Sequence, residues 1–322
     1  MTMRVKKSKL DKTQIEIIFA YLFLLPNLLG FLIFTLLPVA TSLLLSFFEY
    51  KGLSLSWPPN VNFVGLTNFI QLLGFNKEAG VIVANDPLFW KYLWNTIFLM
   101  AGIPFGMAGA LILALLLNKK QKGIVVFRTI FFLPTMCQTV AVALLWLWLY
   151  NYDYGIINTF IRNLGNLFHL NIEGIHWLNA EWIKPSMIIA STWTYLGGTN
   201  MILYLAALQN IPKALYEAAE IDGASSFQKF WAVTWPMISP TTFFIAVMSV
   251  IGGFQGGFMF AYIFAKGGPH GASTTLMYYI FENFFTWHNF GYACTIAWFM
   301  FVLIFGATLI NWRYGGKLVH YT

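Results

Sequence analysis

The feature of this sequence that most restricts its fold is a series of six long apolar runs, none of which contains Asp, Glu, Lys or Arg. Each run reaches the roughly 20 residues that an α-helix needs to cross a bilayer, and none alternates like the strands of a membrane barrel. Only 10% of the residues are charged, whereas a soluble domain carries about 25%. We therefore predict an all-α integral membrane protein with six transmembrane helices. The predicted spans are Ile17–Phe48, Leu93–Leu117, Thr129–Tyr150, Pro185–Gln209, Pro240–Ala265 and Phe290–Trp312.

The distribution of basic residues predicts which side of the membrane each loop occupies. An even number of spans places both ends of the chain on one side, and 13 of the 19 Lys and Arg residues lie there. Because basic loops stay in the cytoplasm, we expect both termini to be cytoplasmic. The net charge of +7 is then a topology signal, and we predict no nucleic-acid partner. The predicted limits are cytoplasmic tails at 1–16 and 313–322, a transmembrane domain at 17–312, a cytoplasmic loop at 210–238, and external segments at 49–92, 151–184 and 266–289.

Chemistry that the chain lacks also restricts its function. Cys137 and Cys294 lie in apolar runs, which favours buried thiols over a disulfide or a metal site. The five histidines show no metal-ligand spacing, and there is no phosphate-binding loop of the G-x-x-x-x-G-K-[ST] type. Uncharged spans argue against a proton symporter, an ion pump and a voltage sensor, although sodium coupling through carbonyl and hydroxyl oxygens stays open. We predict no catalytic residue, metal or cofactor in this chain, so any energy must come from a partner.

The fourth and fifth spans are rich in uncharged polar, small and aromatic residues. Such side chains suit a neutral, hydroxylated ligand, because amides and hydroxyls bond to its hydroxyl groups and flat rings cover its apolar faces. Helix packing is an alternative explanation, since Gly252 and Gly256 have the small-xxx-small spacing. Asn200 and Gln255 are stronger pathway candidates, because an amide within a span needs a polar partner or water.

The polar loop between the fourth and fifth spans has the pattern of two short helices. Pro212 fits the first turn of a helix, and Gly223 fits a left-handed helix terminator. Ser225 and Gln228 have the spacing of a capping box for a second helix, which we expect to end near Pro236. From these residues alone, the pattern fits both a docking surface for another protein and an amphipathic loop at the membrane surface.

The loop resembles the signature of binding-protein-dependent ABC importer permeases. That signature is Glu-Ala-Ala, three residues, Gly, nine residues, an aliphatic residue, a spacer, Leu and Pro. The matching residues here are Glu217, Ala218, Ala219, Gly223, Val233 and Pro236. Trp235 stands where the family commonly has Leu. Three further segments are similar to carbohydrate-type members, namely Asn62–Leu66, Ala206–Pro212, and Gly267–Pro269 followed by Ser273–Thr275.

The resemblance implies the six-helix fold of type I ABC importer permeases, in which this loop is a cytoplasmic coupling helix. It implies a transport subunit rather than an enzyme, and the first member of a pair that forms a pathway with a second permease. It also implies two ATPase subunits that bind ATP and Mg²⁺, and an extracytoplasmic solute-binding protein that delivers a neutral sugar or oligosaccharide. Such complexes contact membrane lipid in the cell membrane of prokaryotes.

The resemblance also assigns roles to three sets of residues in this chain. The residues expected to dock on the ATPase are Glu217, Ala218, Ala219, Gly223 and Pro236. The residues expected along the substrate pathway are Gly198, Asn200, Phe254, Gln255 and Gly257. The residues expected to contact the binding protein are Gly267, Gly268 and Pro269.

Two other functions compete with this interpretation. A stand-alone channel or facilitator for neutral solutes would need no ATPase and would conduct without nucleotide. A membrane enzyme acting on lipid or polyprenyl substrates would need paired carboxylates, or His with carboxylates, at the membrane surface. The clustered acids of this chain are Glu217, Glu220 and Asp222 of the loop, which argues against such an enzyme.

Overall fold

Helices make up most of the protein in this computed structural model, which describes residues 12–52, 61–78, 81–119, 122–170 and 172–316. The outer parts of the two predicted tails, residues 1–11 and 317–322, lie outside the described residues. The helices are α1 (Lys12–Phe31), α2 (Leu37–Leu45), α3 (Thr67–Leu73), α4 (Pro87–Leu99), α5 (Gly102–Leu117), α6 (Ile124–Met136), α7 (Thr139–Leu149), α8 (Ile156–Leu167), α9 (Ile183–Leu196), α10 (Thr199–Gln209), α11 (Lys213–Ile221), α12 (Ser226–Lys229), α13 (Trp235–Gln255), α14 (Phe258–Ala265), α15 (Leu276–Phe281) and α16 (Phe290–Gly315). Three π-helical turns, Leu32–Leu36, Phe230–Thr234 and Glu282–Thr286, follow α1, α12 and α15.

Four helical stretches of the described chain are long and apolar enough to cross a membrane, or five if one sharply bent pair counts as a span. The bent pair is α6 with α7, whose axes turn by 98°. The predicted span Pro185–Gln209 is not among them, because it divides into α9 and α10. A multi-pass membrane protein is therefore confirmed, whereas the count of six spans stays a prediction. The four stretches are Lys12–Leu45, Pro87–Leu117, Ser226–Ala265 and Phe290–Arg313.

Four of the predicted spans are interrupted near their middle. The interruptions lie at Met100–Ala101, Cys137–Gln138, Gly197–Gly198 and Gly256–Gly257. Two of them require glycine. At Gly257 the backbone φ is +80°, and at Gly197 a Cβ atom would lie only 2.1 Å from the main-chain oxygen of Phe131. Within a bilayer, such breaks are tolerated where the freed backbone groups line a cavity or are buried in protein.

The two thiols lie in different surroundings, and both are free. Cys294 is buried, as predicted. Cys137 is exposed, so the prediction that it is buried was wrong. It lies at the bend between α6 and α7, where the backbone leaves helical geometry.

Three buried clusters hold the described helices together. The first contains Tyr150 and joins α7, α9 and α14. The second contains Tyr204 and joins α5, α10 and α13. The third contains Phe89 and joins α4, α15 and α16. By contrast, the most apolar window of Lys12–Leu45 buries none of its residues within the chain, which leaves that surface for lipid or another subunit.

Two short hairpins correct the all-α prediction. Strand β1 (Phe48–Tyr50) pairs antiparallel with β2 (Val61–Phe63), and β3 (Phe75–Glu78) pairs antiparallel with β4 (Val81–Ala84). Both hairpins lie in the segment predicted as the first external one, except for Phe48, which was predicted to end the first span. Their strands are three or four residues long, too short for a two-residue periodicity to stand out in the sequence.

The second helix of the polar loop does not end near Pro236, as the sequence suggested. It continues from α12 through the π-helical turn Phe230–Thr234 into α13. Trp235 N donates to the Phe230 carbonyl oxygen across five residues, and Pro236, which has no N–H to donate, follows in the first turn of α13. Because proline is tolerated in a first turn, the helix passes through it.

Asp86 connects three helices through hydrogen bonds of its buried carboxylate. It caps the N-terminus of α4, where its Oδ1 accepts from Phe89 N at 3.0 Å. Its Oδ2 accepts from Tyr279 Oη at 2.8 Å and from Tyr292 Oη. The carboxylate is only 7% exposed, so these donors replace water. Asp86 therefore links α4 to α15 and α16.

Replacement of Asp86 with Ala is expected to lower the free energy of unfolding by about 2–4 kcal/mol, because it removes a helix cap and leaves two tyrosine hydroxyls without their acceptor. Asp86→Asn keeps one acceptor oxygen and is expected to cost less. The measurement is denaturation of the purified chain in detergent. Glu49→Ala is the control, since Glu49 forms an exposed ion pair with Lys51 and its loss costs at most about 1 kcal/mol. Equal stability of the Asp86→Ala and Glu49→Ala variants would contradict the structural role of Asp86.

Candidate functional site

A cavity of about 250 Å³ lies where the interrupted helices meet. Residues from all four interrupted spans line it, including residues within two positions of each break. These residues are Met100, Gly102, Thr135, Gly198, Thr199, Gly256 and Gly257. Discontinuous helices that converge on one cavity are a recurring way to build a solute site within a membrane. The cavity is therefore the first candidate for a functional site.

The cavity is lined by apolar and uncharged polar side chains. Its polar groups are mostly hydroxyls, and none of its lining residues is Asp, Glu, Lys or Arg within the part of the chain that the structure describes. The polar lining residues are Thr96, Thr135, Ser191, Thr194, Tyr195, Thr199, Asn200, Ser249 and Thr275. The hydroxyl oxygen of Thr135 is buried and has no hydrogen-bond partner among the described residues. Such a lining can exchange hydrogen bonds with a neutral, hydroxylated solute or with water.

Neighbouring glycines of α13 contribute to the cavity in different ways. A Cβ on Gly253 would lie 2.9 Å from Met100 Cγ, so this glycine allows α13 to pack closely. A Cβ on Gly252 would meet nothing within 4 Å, and Gly252 opens onto the cavity. Gly256 lies beyond the end of α13. Helix packing therefore accounts for Gly253, but not for Gly252 or Gly256.

The structure brings three of the five predicted pathway residues together. Gly198, Asn200 and Gly257 line the cavity. Phe254 is buried and Gln255 is exposed, and neither lines it. Sequence reasoning missed Thr135, which follows the in-helix Pro134 of α6. A proline inside an apolar run was the available signal, because it marks a place where the helix is disturbed.

The polar loop has the helix–turn–helix shape that its sequence predicts. Helix α11 ends at Ile221, and Gly223 follows with a φ of +78°. Ser225 and Gln228 form a reciprocal capping box, in which Gln228 Oε1 accepts from Ser225 N at 2.8 Å. Glu220 pairs with Lys229 at 2.7 Å across the turn. The turn is thus fixed by a left-handed glycine, a cap and an ion pair.

The surface of this loop combines exposed apolar and acidic side chains. Of the five residues predicted to dock, Glu217, Ala218 and Gly223 are exposed, whereas Ala219 and Pro236 are half-buried. Sequence reasoning did not select three large apolar side chains that are also exposed. They are Ile221 (87% exposed), Phe227 (73%) and Trp231 (50%). Such side chains on a polar loop are suited to burial against a partner protein.

The segment Gly267–Pro269 belongs to a loop that is hydrogen-bonded to helix α4 through Gly271 and Thr274. Within the loop, the Gly267 carbonyl oxygen accepts from Thr274 Oγ1 at 2.9 Å, and the Gly268 carbonyl oxygen accepts from Ser273 Oγ at 2.8 Å. Asn95 Nδ2 of α4 donates to the main-chain oxygens of Gly271 and Thr274. Gly267 itself is buried, with a φ of +81°, and Gly268 and Pro269 are half-buried. The predicted contact segment is therefore a structured loop with only part of its surface available.

Tyr278 packs directly beneath this loop. A Cβ on Gly267 would lie 2.5 Å from the Tyr278 ring, so only glycine fits there. Burial is the main cause that raises the pKa of Tyr278 to about 12, and the charge of Glu282 adds to it. The phenol therefore stays neutral at physiological pH and supports the loop as a packed ring.

Comparisons with known proteins place the chain in a family. The model of the family described as "Binding-protein-dependent transport system inner membrane component" matches residues 102–313. The chain is 35% identical to the probable ABC transporter permease protein YesP of Bacillus subtilis, over 94% of this chain and 91% of that one. It is 36% identical to the lactose transport system permease protein LacF of Rhizobium radiobacter, over 88% and 89%.

A solved structure has the same fold. It is the crystal structure of a bacterial ABC transporter involved in the import of the acidic polysaccharide alginate, with a TM-score of 0.76 and 23% identity. The alignment covers 94% of this chain and 96% of that chain. The family match, the two relatives and the shared fold all point to a transport permease. A cavity among interrupted helices is consistent with such a protein. The chain therefore belongs to the family of inner-membrane components of binding-protein-dependent transport systems.

Proposed function

We propose that this chain is a transmembrane subunit of an ATP-driven ABC importer for a neutral sugar or oligosaccharide. The observation that carries the proposal is the uncharged, hydroxyl-lined cavity at the meeting point of four interrupted helices. Relatives that support a sugar include the permeases named for lactose and for arabinooligosaccharides, the second being 31% identical over 92% of this chain.

The lining of the cavity favours a neutral solute over an anionic one. The chain also matches permeases named for sn-glycerol-3-phosphate, and its structural neighbour imports an acidic polysaccharide. Anionic groups are held by charge-assisted hydrogen bonds from Arg or Lys, or by fixed donors that replace them. No Arg or Lys is among the residues that line this cavity. A neutral sugar needs none.

The proposed complex contains a second permease, two ATPase subunits that bind ATP and Mg²⁺, and an extracytoplasmic solute-binding protein. The chain crosses a prokaryotic cell membrane six times with both termini in the cytoplasm, and α9 with α10 forms one interrupted span. Loop 210–238 is the coupling element, with Glu217, Ala218 and Gly223 presented to the ATPase. A structural neighbour in complex with its alginate-bound periplasmic protein supports docking of a binding protein on the external side.

Transport then proceeds by alternating access. A loaded binding protein docks on the external loops, including Gly267–Pro269, and ATP closes the nucleotide-binding dimer. The coupling loop passes that movement to the spans as a rigid-body rotation. Sugar moves along Gly198, Asn200 and Gly257, while the exposed Gln255 completes the pathway against the second permease. Phe254, buried behind Gln255, holds that part of α13 in position.

Reconstitution tests this proposal against a stand-alone channel. The chain is placed in liposomes with the second permease, the ATPase and the binding protein of the proposed complex. Radiolabelled sugar uptake is expected to require all four components and hydrolysable ATP. A non-hydrolysable ATP analogue is the control and is expected to support no sustained uptake. Uptake by the chain alone, without nucleotide, would establish the channel and overturn the importer.

A further inference from the structure

Helix α8 (Ile156–Leu167) follows the bent pair α6–α7 after a short turn, in the segment predicted to be external. Its 12 residues extend about 18 Å, well short of the roughly 30 Å hydrocarbon core, so it cannot span the membrane. It nevertheless carries a strongly amphipathic sequence. Its side chains divide into three faces, each with a different environment.

The first face is anchored in the protein. Asn158 is fully buried, and its Nδ2 donates to the carbonyl oxygens of Tyr152 and Ile175. Its Oδ1 accepts from Ile175 N and from Trp177 Nε1, both at 3.0 Å. Arg162, one turn later, donates from its guanidinium to the Tyr152 carbonyl oxygen at 2.7 Å. These bonds fix the rotation of α8 about its axis.

The second face is an exposed apolar stripe. Ile156, Phe160, Leu164 and Leu167 recur at helical spacing and therefore share one side. Their exposed fractions range from 39% for Leu164 to 71% for Leu167. Phe168, at the end of the helix, extends the stripe and is 68% exposed. The third face is polar and exposed, and it consists of Thr159, Asn163 and Asn166.

The helix that precedes α8 in the chain also carries exposed apolar side chains. Helix α7 belongs to the membrane part of the chain and ends at Leu149, seven residues before α8 begins. Its exposed side chains include Leu144, Leu145 and Trp148, the last at the end of the span, where aromatic residues favour the interface. A short helix with adjacent apolar and polar faces settles at the boundary between head groups and acyl chains.

We infer that α8 lies in the membrane interface as a lipid-seated helix. Its stripe Ile156–Phe160–Leu164–Leu167 enters the acyl chains of the leaflet at the α7 end, and Thr159, Asn163 and Asn166 face the head groups and water. In the proposed orientation this is the outer leaflet. The inference needs only a membrane-embedded chain, so it does not depend on transport. The segment after α7 then binds the membrane surface through α8 and does not extend freely into solvent.

Site-directed spin labelling tests the three-faced arrangement. The background is the full chain with Cys137→Ser and Cys294→Ala, reconstituted in liposomes with and without its partner subunits. A nitroxide is attached at Phe160→Cys or Leu167→Cys, with Asn166→Cys as the matched control on the same helix. Collisions with oxygen report lipid, and collisions with a water-soluble nickel chelate report water. The oxygen-to-nickel ratio is expected to be at least about fivefold higher at 160 and 167 than at 166, for a helix seated 5–10 Å deep.

Two outcomes would overturn the inference. Similar, water-like ratios at 160, 167 and 166 would show that the stripe faces solvent. Low collision rates with both reagents at 160 and 167 in the complete complex would show that a protein partner covers it. A second measurement excludes a disturbed fold. A bimane probe at position 160 is expected to be quenched by brominated acyl chains, in liposomes made from a monodisperse preparation of the protein. Absence of that quenching, with quenching intact for a probe on α7 at Leu144→Cys, would also overturn it.

Discussion

Replacement of Gly223 with Val is expected to reduce ATP-driven sugar uptake by at least about tenfold. Gly223 joins the two helices of the proposed coupling loop with a φ of +78°. A β-branched residue held in that region costs about 1–3 kcal/mol, and 1.4 kcal/mol corresponds to a factor of ten. A Cβ at this position would meet nothing within 4 Å, so the expected loss comes from backbone strain and not from a clash. The measurement is uptake into proteoliposomes, together with co-purification of the ATPase subunit.

Two further variants distinguish loss of the turn at Gly223 from a general effect of backbone strain on the protein. Gly223→Asn is expected to retain most of the uptake, because Asn tolerates the left-handed region far better than Val. Gly123→Val introduces the same kind of strain outside the coupling loop, since Gly123 has a φ of +81° and open space around its Cβ position. It is expected to leave ATPase co-purification intact. If Gly223→Val still transports and still assembles with the ATPase, the docking role of the turn is wrong.

The shape of this loop could be predicted from sequence because local contacts determine it. Gly223 ends one helix, and Ser225 with Gln228 starts the next, so each signal acts over three or four residues. The prediction that the second helix ends near Pro236 was wrong for the same reason. A local rule ends a helix before proline, whereas here a π-helical turn carries the helix through it.

The cavity could be predicted only in part, because it depends on contacts between distant segments. Gly197 interrupts its span where the main chain of Phe131 packs against it. The residues around Gly197 in the sequence do not predict that contact. The glycines at 256 and 257 fit helix packing as well as a break, and the structure has the break. Hydropathy alone therefore predicted the apolar runs but not the interruptions that the structure has within four of them.

The hydrogen bonds of Asp86 also depend on residues that are distant in sequence, and they could not be predicted from it. Its two tyrosine partners lie 193 and 206 residues away in sequence. In the sequence, nothing distinguishes Asp86 from the other acidic residues of the segment predicted to be external. Only the fold shows that it is a buried link between three helices.

Replacement of Gly252 with Phe is expected to reduce sugar uptake by at least about tenfold, which corresponds to about 1.4 kcal/mol in the barrier to transport. Gly252 lines the cavity, and a Cβ there meets nothing within 4 Å. A larger side chain can therefore leave the helix without a clash at its Cβ, and a phenyl ring is expected to occupy part of the space of about 250 Å³. The neighbouring Gly253 could not serve this purpose, because its Cβ would clash with Met100 and disturb the fold. Stimulation of ATP hydrolysis by the loaded binding protein is expected to persist, since the coupling loop is unchanged.

A graded series makes this test specific to the cavity. Uptake is expected to fall progressively through Gly252→Ala, Gly252→Val and Gly252→Phe, as the added side chain occupies more of the space. The matched series is at Gly306 of α16, which also has open space around its Cβ position but does not line the cavity. Uptake is expected to stay within about twofold of the parent across that series, because substitutions at sites without contacts cost within about 0.5 kcal/mol. Normal uptake by Gly252→Phe, or an equal decline in both series, would show that the sugar does not pass through this cavity.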